Sequence, residues 1–172
     1  MEKDDLWLDS CAYIHAAQTG PMHEAQQNLK EDICALHKIK ELYRGGKIKL
    51  GISVNVKIEI KITDNKVKEF WKDAKPAFYP QSLSFQGAAI PSECNQFETL
   101  RAEWESRLAT IAEKIGDYGG KDTALLINCA FHQGIFITTD YKFLNKLRNE
   151  GQQINFLKAL RPSVYIEKYY KE

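Results

Sequence analysis

The stretch that most restricts the fold is GIFITTD, residues 134–140, because its apolar residues are consecutive instead of alternating. A strand of this kind is covered on both faces, which is typical of a parallel sheet. It lies between KDTALLINCAFHQG, an apolar segment that begins near Asp122 and closes at Gly134, and YKFLNKLRNEG, which closes at Gly151. The pattern predicts a buried helix, a strand that ends at Asp140, and a second helix.

The same alternation of strands and helices recurs elsewhere in the chain. A strand at Leu6–Leu8 leads into Asp9 and a helical segment, and a helix from about Met22 to Tyr43 ends at Gly45 and Gly46. Further segments are two strands, KIKLGIS and INFLKAL, and a last helix, RPSVYIEKYY, begun by Pro162. Alternating strands and helices predict an α/β fold with a parallel sheet. A length of 172 residues predicts a single domain, residues 1–172.

Composition excludes several classes of protein. The chain is 44% hydrophobic and 27% charged, and no apolar run approaches the roughly 18 residues that span a bilayer. The opening MEKDDLWLDS lacks the apolar segment of a secretory signal, so we expect a cytoplasmic protein without membrane contact. The four cysteines are far apart with no CxxC pair, which favours reduced thiols over disulfides or a zinc site.

The net charge of +1 argues against a purely electrostatic nucleic-acid binder, but the basic residues are unevenly distributed. One group lies between Lys38 and Lys75, and a second follows Asp140: Lys142, Lys146, Arg148, Lys158 and Arg161. Faces of this kind could hold a phosphate backbone if the fold brings them together. The alternative for each single residue is a solvated lysine or arginine on an amphipathic element.

Three acids fall where a parallel sheet places active sites. Asp9 and Asp140 each follow a strand, and Asp122 opens a helix between strands. Three carboxylates in one crevice repel one another without a cation, and carboxylate oxygens without His or Cys suit Mg²⁺ or Mn²⁺. The alternative is structural, with Asp9 and Asp122 as helix N-caps and Asp140 as a turn residue.

The segment SVNVKIEIKIT, residues 53–63, allows two interpretations. Its apolar residues alternate with polar ones, which by period alone indicates a half-buried strand. A helix here would instead complete a crossover after the strand KIKLGIS, and it is the interpretation we favour. The choice determines the position of Glu59, since a strand would make it one of several outward residues.

These residues together resemble a PIN domain, the metal-dependent nuclease family that includes the toxin ribonucleases of toxin–antitoxin pairs. The similarity lies in LWLDSCAYI, in Ser53 six positions before Glu59, in DTALLINCAFHQGIFITTDYKF and in the tail INFLKALRPSVYIEKYY. It covers residues 5–60 and 118–170. The resemblance implies a three-layer fold with a central parallel sheet flanked by helices.

The resemblance also implies an activity, endoribonucleolytic hydrolysis of RNA by a water activated by Mg²⁺ or Mn²⁺. The implied catalytic residues and metal ligands are the four acids Asp9, Glu59, Asp122 and Asp140. Hydroxyls that would hydrogen-bond these acids belong to Ser10, Thr138 and Thr139. The expected RNA-binding cations, on the predicted helix just after Asp140, are Lys142, Lys146 and Arg148. None of the four histidines has metal-ligand spacing, and His15 is the one nearest the acids in sequence.

The middle of the chain, about residues 64–118, is predicted to be an insertion or lid. Its aromatic residues, among them Trp71 and Phe85, would either stack on bases or pack over the core. The insertion makes the chain larger than the compact toxins, which counts against a toxin. Beside an RNA substrate, the partners that the resemblance allows are an antitoxin or other protein and a second copy of the chain. The alternative function is a non-catalytic PIN-like module that binds RNA or protein.

Overall fold

The computed structural model describes residues 3–18, 26–52, 56, 65–74, 77–78, 125, 129, 133–149 and 158–171. Among them, five strands and five helices have defined bounds. The strands are β1 (Asp5–Leu8), β2 (Lys49–Ile52), β3 (Ala77–Phe78), β4 (Ile135–Ile137) and β5 (Lys158–Leu160). The helices are α1 (Ser10–Ala16), α2 (Gln27–Arg44), α3 (Asn65–Trp71), α4 (Tyr141–Asn149) and α5 (Pro162–Tyr170).

The described strands form one sheet in the order β3-β2-β1-β4-β5, and every neighbouring pair is parallel. The chain adds β2 and β3 on one side of β1, and then β4 and β5 on the other. The order therefore reverses between β1 and β4, where Leu8 pairs with Ile137. The prediction of an α/β fold with a parallel sheet is confirmed. In open sheets of this kind, ligands bind in the crevice beyond the carboxyl ends of the strands at the reversal point.

The two central strands are apolar because both of their faces are covered. Leu6, Trp7 and Leu8 of β1 are each at most 2% exposed, although successive side chains of a strand point to opposite faces. All three residues of β4 are buried as well. The consecutive apolar residues of GIFI thus predicted the surroundings of β4 correctly.

Helix α2 packs an apolar stripe against the core and ends where the sequence predicts. Its buried positions include Leu36, Ile39 and Leu42, whose spacing keeps them on one side of the helix. Gly45 is the C-cap, and Gly46 has the positive φ of 68° that glycine adopts readily. Helix α5 begins at Pro162, which needs no hydrogen-bond acceptor for its nitrogen at a helix start.

The helix predicted before β4 is described at two residues, Leu125 and Cys129. Both are helical, buried and four positions apart, so they share one face. The amide of Gly134 donates to the carbonyl of Cys129 at 2.8 Å, and Gln133 has a φ of 55°. This is the Schellman arrangement of a helix end, with Gln133 in the left-handed conformation that glycine more often occupies.

Of residues 53–63, the structure describes Val56, which is helical and 3% exposed. Its conformation agrees with the helical interpretation of that segment, and Ser53 and Glu59 lie outside the described residues.

The predicted insertion begins with α3, where Val67 and Trp71 are buried, and Trp71 donates from its indole nitrogen to the Tyr13 carbonyl at 3.0 Å. Trp71 therefore packs in the core, as the packing alternative predicted. Phe85 lies outside the described residues.

None of the described helices is long and apolar enough to cross a membrane.

Candidate active site at the β1–β4 crevice

Asp9 lies at the point where the sheet order reverses. It directly follows β1, and its amide donates to the carbonyl of Ile137 in β4 at 3.2 Å. Its side chain is the N-cap of α1, with Oδ1 accepting from the amide of Ala12 at 2.7 Å. The residue is 7% exposed, so its carboxylate is a nearly buried group at the carboxyl end of the central strand.

Thr138 joins Asp9 to the region of Asp140. Its hydroxyl donates to Oδ2 of Asp9, and its Oγ1 accepts from the amide of Asp140 at 3.0 Å. Thr138 is fully buried, and its own amide donates to the carbonyl of Leu160 in β5 at 3.2 Å. A single threonine thus connects the ends of β1, β4 and β5.

Asp140 occupies the same structural position at α4 that Asp9 occupies at α1. Its Oδ1 accepts from the amide of Phe143 at 3.0 Å, and its carbonyl accepts from the amide of Leu144 at 3.0 Å. The second carboxylate oxygen, Oδ2, accepts no hydrogen bond from the described residues. Asp140 is partly exposed, so this oxygen belongs to a carboxylate that solvent or a cation can reach.

The helix starts compensate part of the charge of both acids. Amide donors and the positive end of the helix dipole stabilise a carboxylate at an N-cap. Asp9 receives the Thr138 hydroxyl in addition. Asp9 is thus the helix cap that the structural alternative predicted, and Asp140, predicted there as a turn residue, also caps a helix. The burial of Asp9 does not by itself require a cation. Capping leaves further lone pairs on a carboxylate, so it is compatible with metal binding.

The two other hydroxyls expected to bind the acids are placed differently. Thr139 is buried, and its Oγ1 lies 2.7 Å from Nδ1 of His15. Ser10 is the first residue of α1 and makes no hydrogen bond to either acid within the described structure. His15 is half-buried, and burial lowers its pKa, with a smaller opposing effect from the negative charge of Asp32. The histidine is therefore mainly neutral at pH 7.

Glu59 and Asp122, the other two predicted ligands, lie outside the described residues. Within the described part of the chain, no group of three or more His, Cys, Asp or Glu side chains is arranged to hold a metal ion. The described structure accordingly brings together two of the four predicted acids, Asp9 and Asp140. The roles of Glu59 and Asp122 stay predictions.

The three predicted RNA-binding cations all lie on α4, which begins directly after Asp140. Lys142 and Arg148 are exposed and Lys146 is partly buried. The opposite side of α4 is apolar, since Phe143, Leu144 and Leu147 are each at most 4% exposed. The helix is thus fixed to the core by one face and presents its cations on the other.

Sequence reasoning missed the most buried acid of the described structure, Asp32. It is fully buried in α2, and its carboxylate accepts from the Tyr141 hydroxyl at 2.6 Å, Arg161 Nε at 3.1 Å and the Ser163 amide at 3.0 Å. One signal could have found it. Asp32 is four positions before Leu36 and seven before Ile39, so it interrupts the apolar stripe of α2 with a charge.

No protein-family model matches this chain, and no curated protein has significant similarity to it. A function for the crevice is therefore inferred from its residues and their geometry.

Proposed function

We propose that this protein is a metal-dependent endoribonuclease of the PIN type, with a three-layer fold and its active site at the crevice between β1 and β4. The observation that carries the proposal is the link from Asp9 through Thr138 to Asp140. It brings two acids that are far apart in sequence to the reversal point of a parallel sheet, where ligands of such folds bind.

The chemistry of these donors fits a hard divalent cation. Mg²⁺ is commonly bound by one or two carboxylates together with substrate phosphates, and it retains several waters. Oδ2 of Asp140 is not used by the described residues, and the carboxylate of Asp9 is fixed by two hydrogen bonds at the adjoining strand end. In the proposal, Glu59 and Asp122 complete the ligand set.

A bound Mg²⁺ or Mn²⁺ would activate a water for attack on a phosphodiester and stabilise charge on the leaving oxygen. The chain itself contributes orientation. Thr138 fixes one oxygen of Asp9 and the backbone of Asp140 at the same time, so the two carboxylates keep one mutual arrangement. Lys142, Lys146 and Arg148 would bind neighbouring phosphates, which positions the RNA without reading its sequence.

The test is cleavage of structured and unstructured RNA by the purified protein, with Mn²⁺ or with chelator. We expect cleavage with Mn²⁺ alone, and a loss of about 100-fold or more in Asp140→Asn, because losing an outer hydrogen-bond partner already costs about 10- to 100-fold. Asn retains the oxygen that caps α4 and removes the charge. Asp122→Asn should have the same effect with an unchanged circular dichroism spectrum.

The matched control is Asp73→Asn, which removes an exposed carboxylate that pairs with Lys40 at 2.8 Å. It should cleave at the wild-type rate. Full activity in Asp140→Asn, or equal cleavage with chelator, would contradict the proposal. RNA binding without any cleavage would instead support the non-catalytic module, in which Asp9 and Asp140 serve as helix caps alone.

A further inference from the structure

The Asp32 cluster, formed by Asp32, Tyr141, Arg161 and Ser163, joins three helices at the sheet edge that carries the crevice. Asp32 belongs to α2, Tyr141 is the first residue of α4, and Ser163 is in the first turn of α5. Arg161 directly precedes α5, and its Nη2 donates to the Asn28 carbonyl at 3.1 Å. Its guanidinium also lies 5.0 Å from the centre of the Tyr141 ring.

A contribution to the free energy of folding does not by itself explain a cluster of this kind. The Asp32 side chain is 0% exposed and that of Arg161 is 20% exposed, so forming the pair removes most of their hydration. The desolvation cost of such a pair often equals or exceeds its attraction, and apolar replacements of similar volume are frequently neutral or stabilising. The two charged side chains also give the groups that they bind a defined geometry.

Asp32 fixes the position of Tyr141, the residue that follows Asp140. The Tyr141 hydroxyl donates a hydrogen bond to the carboxylate of Asp32 at 2.6 Å. Tyr141 begins α4, and the amide of Phe143 in the same turn donates to the carboxylate of Asp140. A phenol ionises only well above neutral pH, so the Tyr141 hydroxyl keeps its proton and remains a donor to Asp32 throughout the neutral range.

We propose that Asp32 is a positioning residue, which holds the first turn of α4, and with it the carboxylate of Asp140, through the hydroxyl of Tyr141. The inference rests on the proposed function where it concerns catalysis. The positional part concerns the chain alone and can be measured without metal or RNA.

The first test is hydrogen exchange of the amides of Phe143 and Leu144 in metal-free Tyr141→Phe, which removes one hydroxyl and leaves Asp32 paired with Arg161. We expect both amides to exchange about 10-fold faster than in the wild type, because loss of one hydrogen bond to a charged group opens the turn locally. The amide of Thr138, which bonds to β5, should keep its rate.

Tyr165→Phe is the matched control. It also removes a tyrosine hydroxyl bound to a carboxylate, since Tyr165 donates to Asp4 at 2.9 Å, but Asp4 lies before β1, at the amino ends of the strands. It should leave exchange at Phe143 and Leu144 unchanged. Wild-type exchange of these two amides in Tyr141→Phe, or equal acceleration in both variants, would overturn the positional part.

The second test is the rate of RNA cleavage with Mn²⁺. Tyr141→Phe should lower kcat about 10-fold with KM changed less than about 2-fold, the size of effect that outer hydrogen-bond partners have on a metal site. Tyr165→Phe should retain the wild-type kcat. An unchanged kcat in Tyr141→Phe would overturn the catalytic part, whereas absence of cleavage in the wild type would refute the proposed function and leave the exchange result standing.

Discussion

The hydroxyl of Thr138 donates a hydrogen bond to the carboxylate of Asp9 across 129 positions of sequence. The bond crosses the boundary between β1 and β4, and the same oxygen of Thr138 accepts the amide of Asp140. One side chain therefore sets both the distance between two strand ends and the start of α4.

We expect Thr138→Val to lower the free energy of unfolding by about 1–3 kcal/mol, because it leaves buried polar groups of Asp9 and Asp140 without the hydroxyl. Thr138→Ser keeps the donor and should cost about 0.8 kcal/mol for the lost methyl group. Urea denaturation of both variants measures the difference. Equal losses in the two would mean that the hydroxyl contributes nothing to the link.

The end of the helix before β4 offers a paired prediction. A Cβ at position 134 would lie 2.7 Å from Cδ1 of Trp7 and 3.0 Å from the Asp5 carbonyl, and Trp7 is 2% exposed and confined by the core. Gly134→Ala should therefore destabilise the fold by about 1–3 kcal/mol.

Its neighbour should respond in the opposite direction. Gln133 is exposed with a φ of 55°, a conformation that costs an ordinary residue about 1–2 kcal/mol and glycine very little. Gln133→Gly should raise the melting temperature, and Gly134→Ala should lower it. Scanning calorimetry of both variants tests the pair, and a lower melting temperature for Gln133→Gly would refute the left-handed helix end.

His15 gives a prediction about pH. Burial holds the pKa of His15 in the folded protein below the ordinary 6.5. As the pH falls below 6.5, the unfolded chain therefore takes up a proton before the folded one. The free energy of unfolding should therefore decrease between pH 6.5 and the lower folded pKa. Above 6.5 the residue is mainly neutral in both states and has little effect.

Replacing His15 by Asn removes the titration and keeps a polar atom near Oγ1 of Thr139. Its free energy of unfolding should decrease less than that of the wild type between pH 7.5 and 5.5. An NMR titration of the His15 ring should have its midpoint below 6.5. A midpoint above that value would mean that the charge of Asp32 outweighs the effect of burial.

The cations of α4 are tested by salt. If Lys142, Lys146 and Arg148 bind phosphates of single-stranded RNA, replacing all three by Ala should reduce the slope of log affinity against log salt by about 2. Replacing the exposed Lys66 and Lys68 of α3, together with the exposed Lys72 that directly follows it, should leave the slope nearly unchanged. Equal slopes for the α4 variant and the wild type would identify the three residues as a solvated face.

The elements predicted correctly from the sequence are those whose signals lie in the neighbouring residues. The apolar run before Asp140, the glycine after α2 and Pro162 of α5 each act on neighbouring residues, so β4, the end of α2 and the start of α5 were predicted correctly. The positions of Asp9 and Asp140 at one edge followed from the parallel sheet alone.

The contacts of the site required information that no local pattern contains. Asp32 binds partners 109 to 131 positions away, and an acid in an apolar stripe indicates burial without naming those partners. Thr139 was expected to bind an acid and contacts His15, 124 positions away, because the two neighbouring threonines have different partners. Such pairings depend on how the helices pack over the sheet.

The most direct measurement is calorimetric titration of Mn²⁺ into the wild type, Asp140→Asn and Asp73→Asn. We expect a specific site in the wild type, affinity reduced about 10-fold or more in Asp140→Asn, and wild-type affinity in Asp73→Asn, because one charged oxygen ligand is lost only in the first variant. Equal affinity in all three proteins, or no specific binding by the wild type, would contradict a metal site at the β1–β4 crevice.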